Sequence, residues 1–157
     1  IESAAIIEYL DLHHGDAPPM VPADRKAAIE ARQMDSIFDD YVQAPLTRMV
    51  LNAIRDEDKR DALAVTEAKS TLDRSYVWLE RWMNGREWAA NDTFTIADIA
   101  AAPALFYSHW GYPIPRNLNA LHAYRKRLLE RPSIARVIDE ARPMRHLFPL
   151  KEFDPEG

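Results

Sequence analysis

The chain has 157 residues, 47% of them hydrophobic and 29% charged, with a formal net charge of −5 and no cysteine. That is enough chain for one ordinary domain with a buried core. The acidic balance argues against a nucleic-acid partner, which needs clustered Lys and Arg, and the lack of cysteine excludes disulfides, thiolate metal sites and a cysteine nucleophile within these residues.

No apolar run approaches the ~20 residues of a membrane-spanning helix, so no membrane partner is expected. The start, Ile1-Glu2-Ser3, is acidic and has no initiator Met. It does not read as a signal peptide, and the sequence is expected to begin inside a longer protein. A reducing, cytoplasmic setting fits. With only four glycines and no sustained period-two alternation, the pattern predicts an all-α fold.

The first predicted helix spans Ser3 to Leu12, with Ile6, Tyr9 and Leu10 as its apolar stripe. Gly15 ends it. The Pro-rich stretch Asp16 to Pro22 cannot continue a helix and marks a boundary. A second helix starts at the N-cap Asp24 and carries Met34, Ile37, Phe38, Tyr41, Val42, Leu46, Met49, Val50 and Ile54. Its run of about thirty residues exceeds the usual globular helix, and Pro45 inside it predicts a kink.

The third helix is expected from Glu57 to Met83, with Val65, Ala68, Leu72, Tyr76, Leu79 and Met83 as its core stripe. Asn84-Gly85 closes it at a residue suited to positive φ. The fourth, from Thr95 to Ser108, is apolar on every side and should be buried; Pro103 predicts a kink in it. A fifth covers Leu118 to Glu130, and Pro132 opens a sixth. From Pro143 the chain is expected to be irregular, packed by Leu147, Phe148 and Phe153.

The strongest local motif is Phe94-Thr95-Ile96-Ala97-Asp98-Ile99. Thr95 is an N-cap and Asp98 stands three residues on, which makes a capping box with Asp for the commoner Glu. Phe94 and Ile99 bracket it as a hydrophobic staple. A buried helix cannot leave its first N–H groups to water, so Thr95 and Asp98 are assigned a structural capping role, and Asp98 is not a catalytic acid. His13-His14 precede a glycine, while His109, His122 and His146 are scattered. No metal site is proposed.

At this point the sequence resembles a known family. A Ser/Thr-x-x-Asp box with a staple, opening a buried central helix, is similar to the hallmark of the C-terminal domain of cytosolic glutathione transferases. Glu2-Ser3-Ala4-Ala5-Ile6 followed by Tyr9-Leu10 resembles the signature that ends their thioredoxin-like domain. Arg131-Pro132-Ser133 resembles the start of one of their last helices. The order and spacing of all three agree along the chain, and Phe38-Asp39-Asp40-Tyr41-Val42 with Ala101-Ala102-Pro103-Ala104-Leu105-Phe106-Tyr107 points to bacterial members.

The resemblance implies a fold and a division of the chain. Residues 1–15 would be the last helix of the thioredoxin-like α/β domain, 16–23 a linker, and 24–157 the all-helical C-terminal domain.

It also implies a function: transfer or reduction chemistry with glutathione as co-substrate on a small hydrophobic electrophile, in a homodimer. Glu2 and Ser3 would hold the γ-glutamyl end of glutathione. Asp35 would reach the ammonium of glutathione in the other subunit; its plain alternative is an exposed helix Asp paired with Arg32 or another nearby base. Asp39 and Asp40 are weaker candidates of the same kind. Tyr41, Arg48, Met49, Tyr107 and Trp110 would line the electrophile pocket, although aromatic and Met side chains at helical spacing are more often core. The residue that activates the thiol belongs, in the family, near the start of the thioredoxin-like domain, so these residues alone are not expected to catalyse. A non-catalytic transferase-like interaction module is the alternative.

Overall fold

Four donors converge on one buried carboxylate, and the bundle is arranged around it. In this computed structural model, which describes residues 1–15 and 18–150, Asp98 is fully buried. Its Oδ2 accepts the backbone N–H of Thr95 at 2.9 Å and lies 3.4 Å from the Thr95 hydroxyl. Its Oδ1 accepts the N–H of Ala89 at 2.9 Å and the hydroxyl of Tyr124 at 2.7 Å. The expected capping box is formed, and it does more than cap. It ties the helix entry to the preceding loop and to a helix packed alongside.

The elements run α1 Ser3–His14, α2 Arg25–Phe38, a π turn Asp39–Gln43, α3 Ala44–Ala53, α4 Ala62–Met83, α5 Ile96–Gly111, α6 Asn119–Glu130 and α7 Pro132–Ala141. Short 3₁₀ segments cover Glu57–Lys59 and Arg142–Leu147. The helix α5 is the central rod, with α2, the π turn and α6 packed against it, and α4 closes the far side against α3 and α6. Phe38, Leu72, Tyr76, Leu79, Ile96, Leu105, Leu121 and Tyr124 fill the core.

Several expectations hold. Asp24 caps α2, its Oδ1 accepting the N–H groups of Lys26 and Ala27 at 3.1 and 2.9 Å. The α4 stripe is buried apart from a half-buried Val65, and Gly85 closes the helix with φ 78°. Pro132 opens α7.

Others are corrected. The third helix starts at Ala62, not Glu57, because Asp61 caps it through the N–H of Ala64 at 3.0 Å. The tail is not irregular throughout: Arg142–Leu147 is 3₁₀, and Leu147 is exposed instead of packed. Phe148 packs as expected, its ring 5.8 Å from those of Tyr107 and Trp110, whereas Phe153, like Asp16, lies outside the described residues. The long second helix is interrupted by the π turn just before Pro45, and α5 runs through Pro103 as one helix.

The apolar stripe of α1 does not face the bundle. Ile6, Tyr9 and Leu10 are each about half exposed, at 50%, 58% and 49%. Instead α1 docks through Ala4 and Ile7 and through polar clasps. Arg32 donates to both oxygens of Glu8, at 3.0 and 2.9 Å. Asp11 Oδ2 accepts the N–H of Met20 at 2.6 Å, and the carbonyl of Met20 accepts the first helical N–H of α5, from Ile96, at 2.9 Å.

Removing the Asp98 carboxylate strands these four donors in a buried place. Asp98→Ala should lower stability by about 3–5 kcal/mol in urea denaturation. Tyr124→Phe, which removes one donor and leaves the rest, should lower it by only about 1–2 kcal/mol. Equal losses would show that the carboxylate does not organise the site.

Candidate functional site at the start of the first helix

Glu2 occupies the N-cap position of α1, with φ 67° and ψ 118° and no side-chain capping bond. A positive φ is costly for a residue with a Cβ, about 1–3 kcal/mol, and such strain concentrates at functional places. Ser3 is the first helical residue, not the cap, and its side chain is exposed. The first-turn N–H groups have no intrahelical partner. An exposed hydroxyl beside free amides at the positive end of a helix dipole is suited to a carboxylate.

Beside it lies the opposite kind of surface. Glu2 of α1 is close enough to Asp39 to raise the Asp39 carboxyl, after burial and the neighbouring Asp40. Glu8, one turn and a half further along, faces Arg32 and Asp35. The two helices therefore run antiparallel, with the start of α1 at the end of α2. Asp35 is 9% exposed, and among the described residues no N–H or O–H donates to it. Arg32, its expected partner in the plain alternative, is taken by Glu8. Burial, then Asp39, then Glu8 push the Asp35 carboxyl up to about 6.

Of the predicted γ-glutamyl group, the structure thus sets Glu2 and Ser3 at one helix start, with Asp35 in the acidic field behind them. Asp39, the weaker candidate, lies nearer Glu2. Glu8 was not singled out from the sequence. Its only signal is a carboxylate flanked by Ile7 and Tyr9 in a helix whose buried face is small.

The proposed electrophile residues separate. Tyr107 and Trp110 meet at the end of α5, ring centroids 6.0 Å apart, with Phe148 over both and the Arg145 guanidinium 4.9 Å from the Trp110 ring. They border a cavity of about 240 Å³. It adjoins an apolar groove of about 490 Å³ between α5 and α7, lined by Phe94, Ile99, Pro103 and Ile134 among others. Tyr41 faces elsewhere, into a groove between α2 and α4 with Trp78 and Arg74. Met49 is core and Arg48 is exposed. Among the described residues no group of His, Asp or Glu has the arrangement of a metal site, and no helix is long and apolar enough to cross a membrane.

With that geometry in hand, comparison with known proteins is decisive about kinship. Residues 18–132 match the family described as glutathione S-transferase, C-terminal domain. The chain belongs to this family.

It is 26% identical over 145 residues to glutathione S-transferase U24 of Arabidopsis thaliana, covering 89% of this chain and 62% of that protein. It is 27% identical over 107 residues to the glutathione S-transferase-like protein LUC7 of a Fusarium species, covering 68% of this chain and 48% of that one. A glutathione S-transferase of Methylobacterium radiotolerans, crystallised in complex with glutathione sulfonate, aligns with TM-score 0.74 and 27% identity over 87% of this chain and 65% of its own. The chain therefore spans less than two thirds of the length of these relatives.

A buried carboxylate without a donor makes the fold less stable as it ionises. The folded value of about 6 stands above the ordinary 3.8. Its favourable contribution is therefore complete below about pH 4 and lost as pH rises through 6. Asp35→Asn should accordingly be more stable than the native chain by about 1 kcal/mol at pH 7.5, with water access limiting the gain. The difference should shrink towards pH 5 in parallel urea titrations, and a variant less stable at pH 7.5 would mean that Asp35 has a donor.

Proposed function

We propose that the intact protein is a glutathione transferase in which Glu2 and Ser3 hold the γ-glutamyl end of glutathione and Asp35 reaches the ammonium of the glutathione in the other subunit. The observation that carries this is Asp35, a buried carboxylate set among Glu8 and Asp39 with no donor of its own among the described residues. An unpaired buried charge is costly, and a cationic ligand offsets that cost. The γ-glutamyl end of glutathione carries an ammonium and a carboxylate on one carbon. The carboxylate suits the Ser3 hydroxyl and the free amides of α1, and the ammonium suits Glu2 and, across the dimer, the Asp35 carboxylate of the other subunit.

In this proposal residues 1–15 are the last helix of a thioredoxin-like domain, 16–23 the linker, and 24–157 the helical domain. The thioredoxin-like domain supplies the residue that hydrogen-bonds the glutathione sulfur. That bond lowers the thiol below its usual value near ~8.5, so that a thiolate attacks an electrophile. Tyr107 and Trp110, with Phe148, offer an aromatic wall for the acceptor. Tyr41 and Trp78, on the exposed flank of α2 and α4, suit the face of a homodimer.

Titration calorimetry on the intact protein tests the site. Glutathione should bind, and Glu2→Gln and Asp35→Asn should each weaken it by about tenfold. Native affinity should rise from pH 5 to pH 7 as Asp35 ionises, and that rise should be absent in Asp35→Asn. Failure of the native protein to bind millimolar glutathione would leave the non-catalytic module as the better account. In light scattering the native protein should be a dimer, and Trp78→Arg should shift it towards monomer.

A further inference from the structure

Arg125 on α6 is a second charge held in the bundle without an opposite charge. It is half-buried, and its Nε donates to the carbonyl of Leu105 on α5 at 3.2 Å. Among the described residues its two terminal nitrogens donate to nothing, and no carboxylate pairs with it. Burial lowers its pKa to about 10, opposed only by Tyr76, so the guanidinium is charged at neutral pH. Taking such a group out of water is costly unless acceptors face it.

The space beside it is shaped for a small ring. Arg125 borders a cavity of about 180 Å³ between α5, α6 and α7, walled by Phe106, Trp110, Leu129, Ala135 and Ile138. Asp139 borders it too, but its Oδ1 already accepts from Arg142 Nε at 2.9 Å. Phe106 and Trp110, ring centroids 4.6 Å apart, also line the cavity beneath Phe148, so the two cavities flank one aromatic pair. Among the described residues the charged side chains of the two cavities are Arg125, Arg142 and Arg145 against Asp139 alone.

Apolar walls with one guanidinium suit an amphipathic ring, its face on the aromatic pair and its anionic group on the fork of the arginine. A carboxylate is planar, matches that fork with two parallel bonds, and carries the single charge that one guanidinium balances. A neutral acceptor would leave the guanidinium unpaired.

We propose that the acceptor pocket selects an aromatic electrophile that bears a carboxylate, with its ring against Phe106 and Trp110 and its carboxylate on Arg125. This rests on the glutathione reading above and names its acceptor class. The probes are 4-chloro-3,5-dinitrobenzoate and its primary amide, which differ in charge at one position. With either, the glutathione thiolate forms a C–S bond at C4, and chloride leaves with the electron pair of the broken C–Cl bond.

Each kcat/KM of the intact protein is divided by the uncatalysed rate constant of the same probe. The native protein should then favour the carboxylate by about tenfold. Arg125→Gln should bring that ratio to about one, and Arg125→Lys, a point charge without the fork, should keep part of it. Ala135→Leu fills the cavity beside Arg125 and leaves the guanidinium in place. It should also bring the ratio towards one, and it decides the matter if Arg125→Gln does not fold. A native ratio near one, or a ratio that these variants leave unchanged, overturns the proposal. If native protein binds glutathione in calorimetry but turns over neither probe, the acceptor class is wrong while the glutathione reading stands. If it does not bind glutathione, that reading fails and this inference fails with it.

Discussion

A carboxylate sealed in a protein interior survives only if donors surround it, and this bundle supplies them from three separate pieces of chain. Burial pushes the Asp98 carboxyl above its usual range, and the hydrogen bonds from Ala89, Tyr124 and Thr95 oppose that push. Each donor brings its own segment into register. Ala89 is held from both sides, since its N–H goes to Asp98 and its carbonyl accepts the indole N–H of Trp82 at 2.7 Å. Tyr124 fixes α6, whose own start is capped from α4 by the Glu80 carboxylate through Ala120 and Leu121 at 3.1 and 2.8 Å. The entry of α5 is thus the point where α4, α6 and the loop before α5 are fixed with respect to one another.

Asp98 and Asp35 are both buried aspartates on helices, and their surroundings are opposite. Asp98 has every lone-pair direction facing a donor, which leaves nothing for a ligand to add. Asp35 has acidic neighbours in place of donors. Among the described residues no donor reaches it, which leaves its charge to solvent or to an outside group. Residue type is the same in the two cases; the fuller burial of Asp98 and the number of donors within reach among the described residues make the difference.

How much of this was legible beforehand depends on sequence distance. The capping box spans three residues, so local spacing alone identifies it. The α4 stripe follows the helical period and is read directly. The π turn was not read: Pro45 predicted a kink, and a spacing of four such as that of Met34 and Phe38 also occurs within the regular helix α2. Other features could not be read, because they join remote segments. The Glu80 cap on α6, the bond from the Ser75 hydroxyl to the Tyr41 carbonyl, and the Glu8 clasp that deprives Asp35 of Arg32 depend on packing, and a single helix carries no trace of its partner. The candidate electrophile residues were chosen by type, and type does not say which side of a helix faces which groove. Hence Tyr41 and Trp110 border different ones.

The stripe of α1 shows how thin the hold on the candidate site is. Its larger apolar residues point away from the bundle, so burial of hydrophobic surface contributes little to where Ser3 sits. What remains is the half-exposed Glu8–Arg32 pair, of a kind worth about 0–1 kcal/mol, and the Asp11–Met20–Ile96 relay. The relay ends at the first helical N–H of α5, beside Thr95 and Asp98. The fixed centre of the bundle is therefore joined to α1 by the backbone segment at Met20. That route makes the placement of the start of α1, where Glu2 and Ser3 sit, depend on a carboxylate that is itself fully buried.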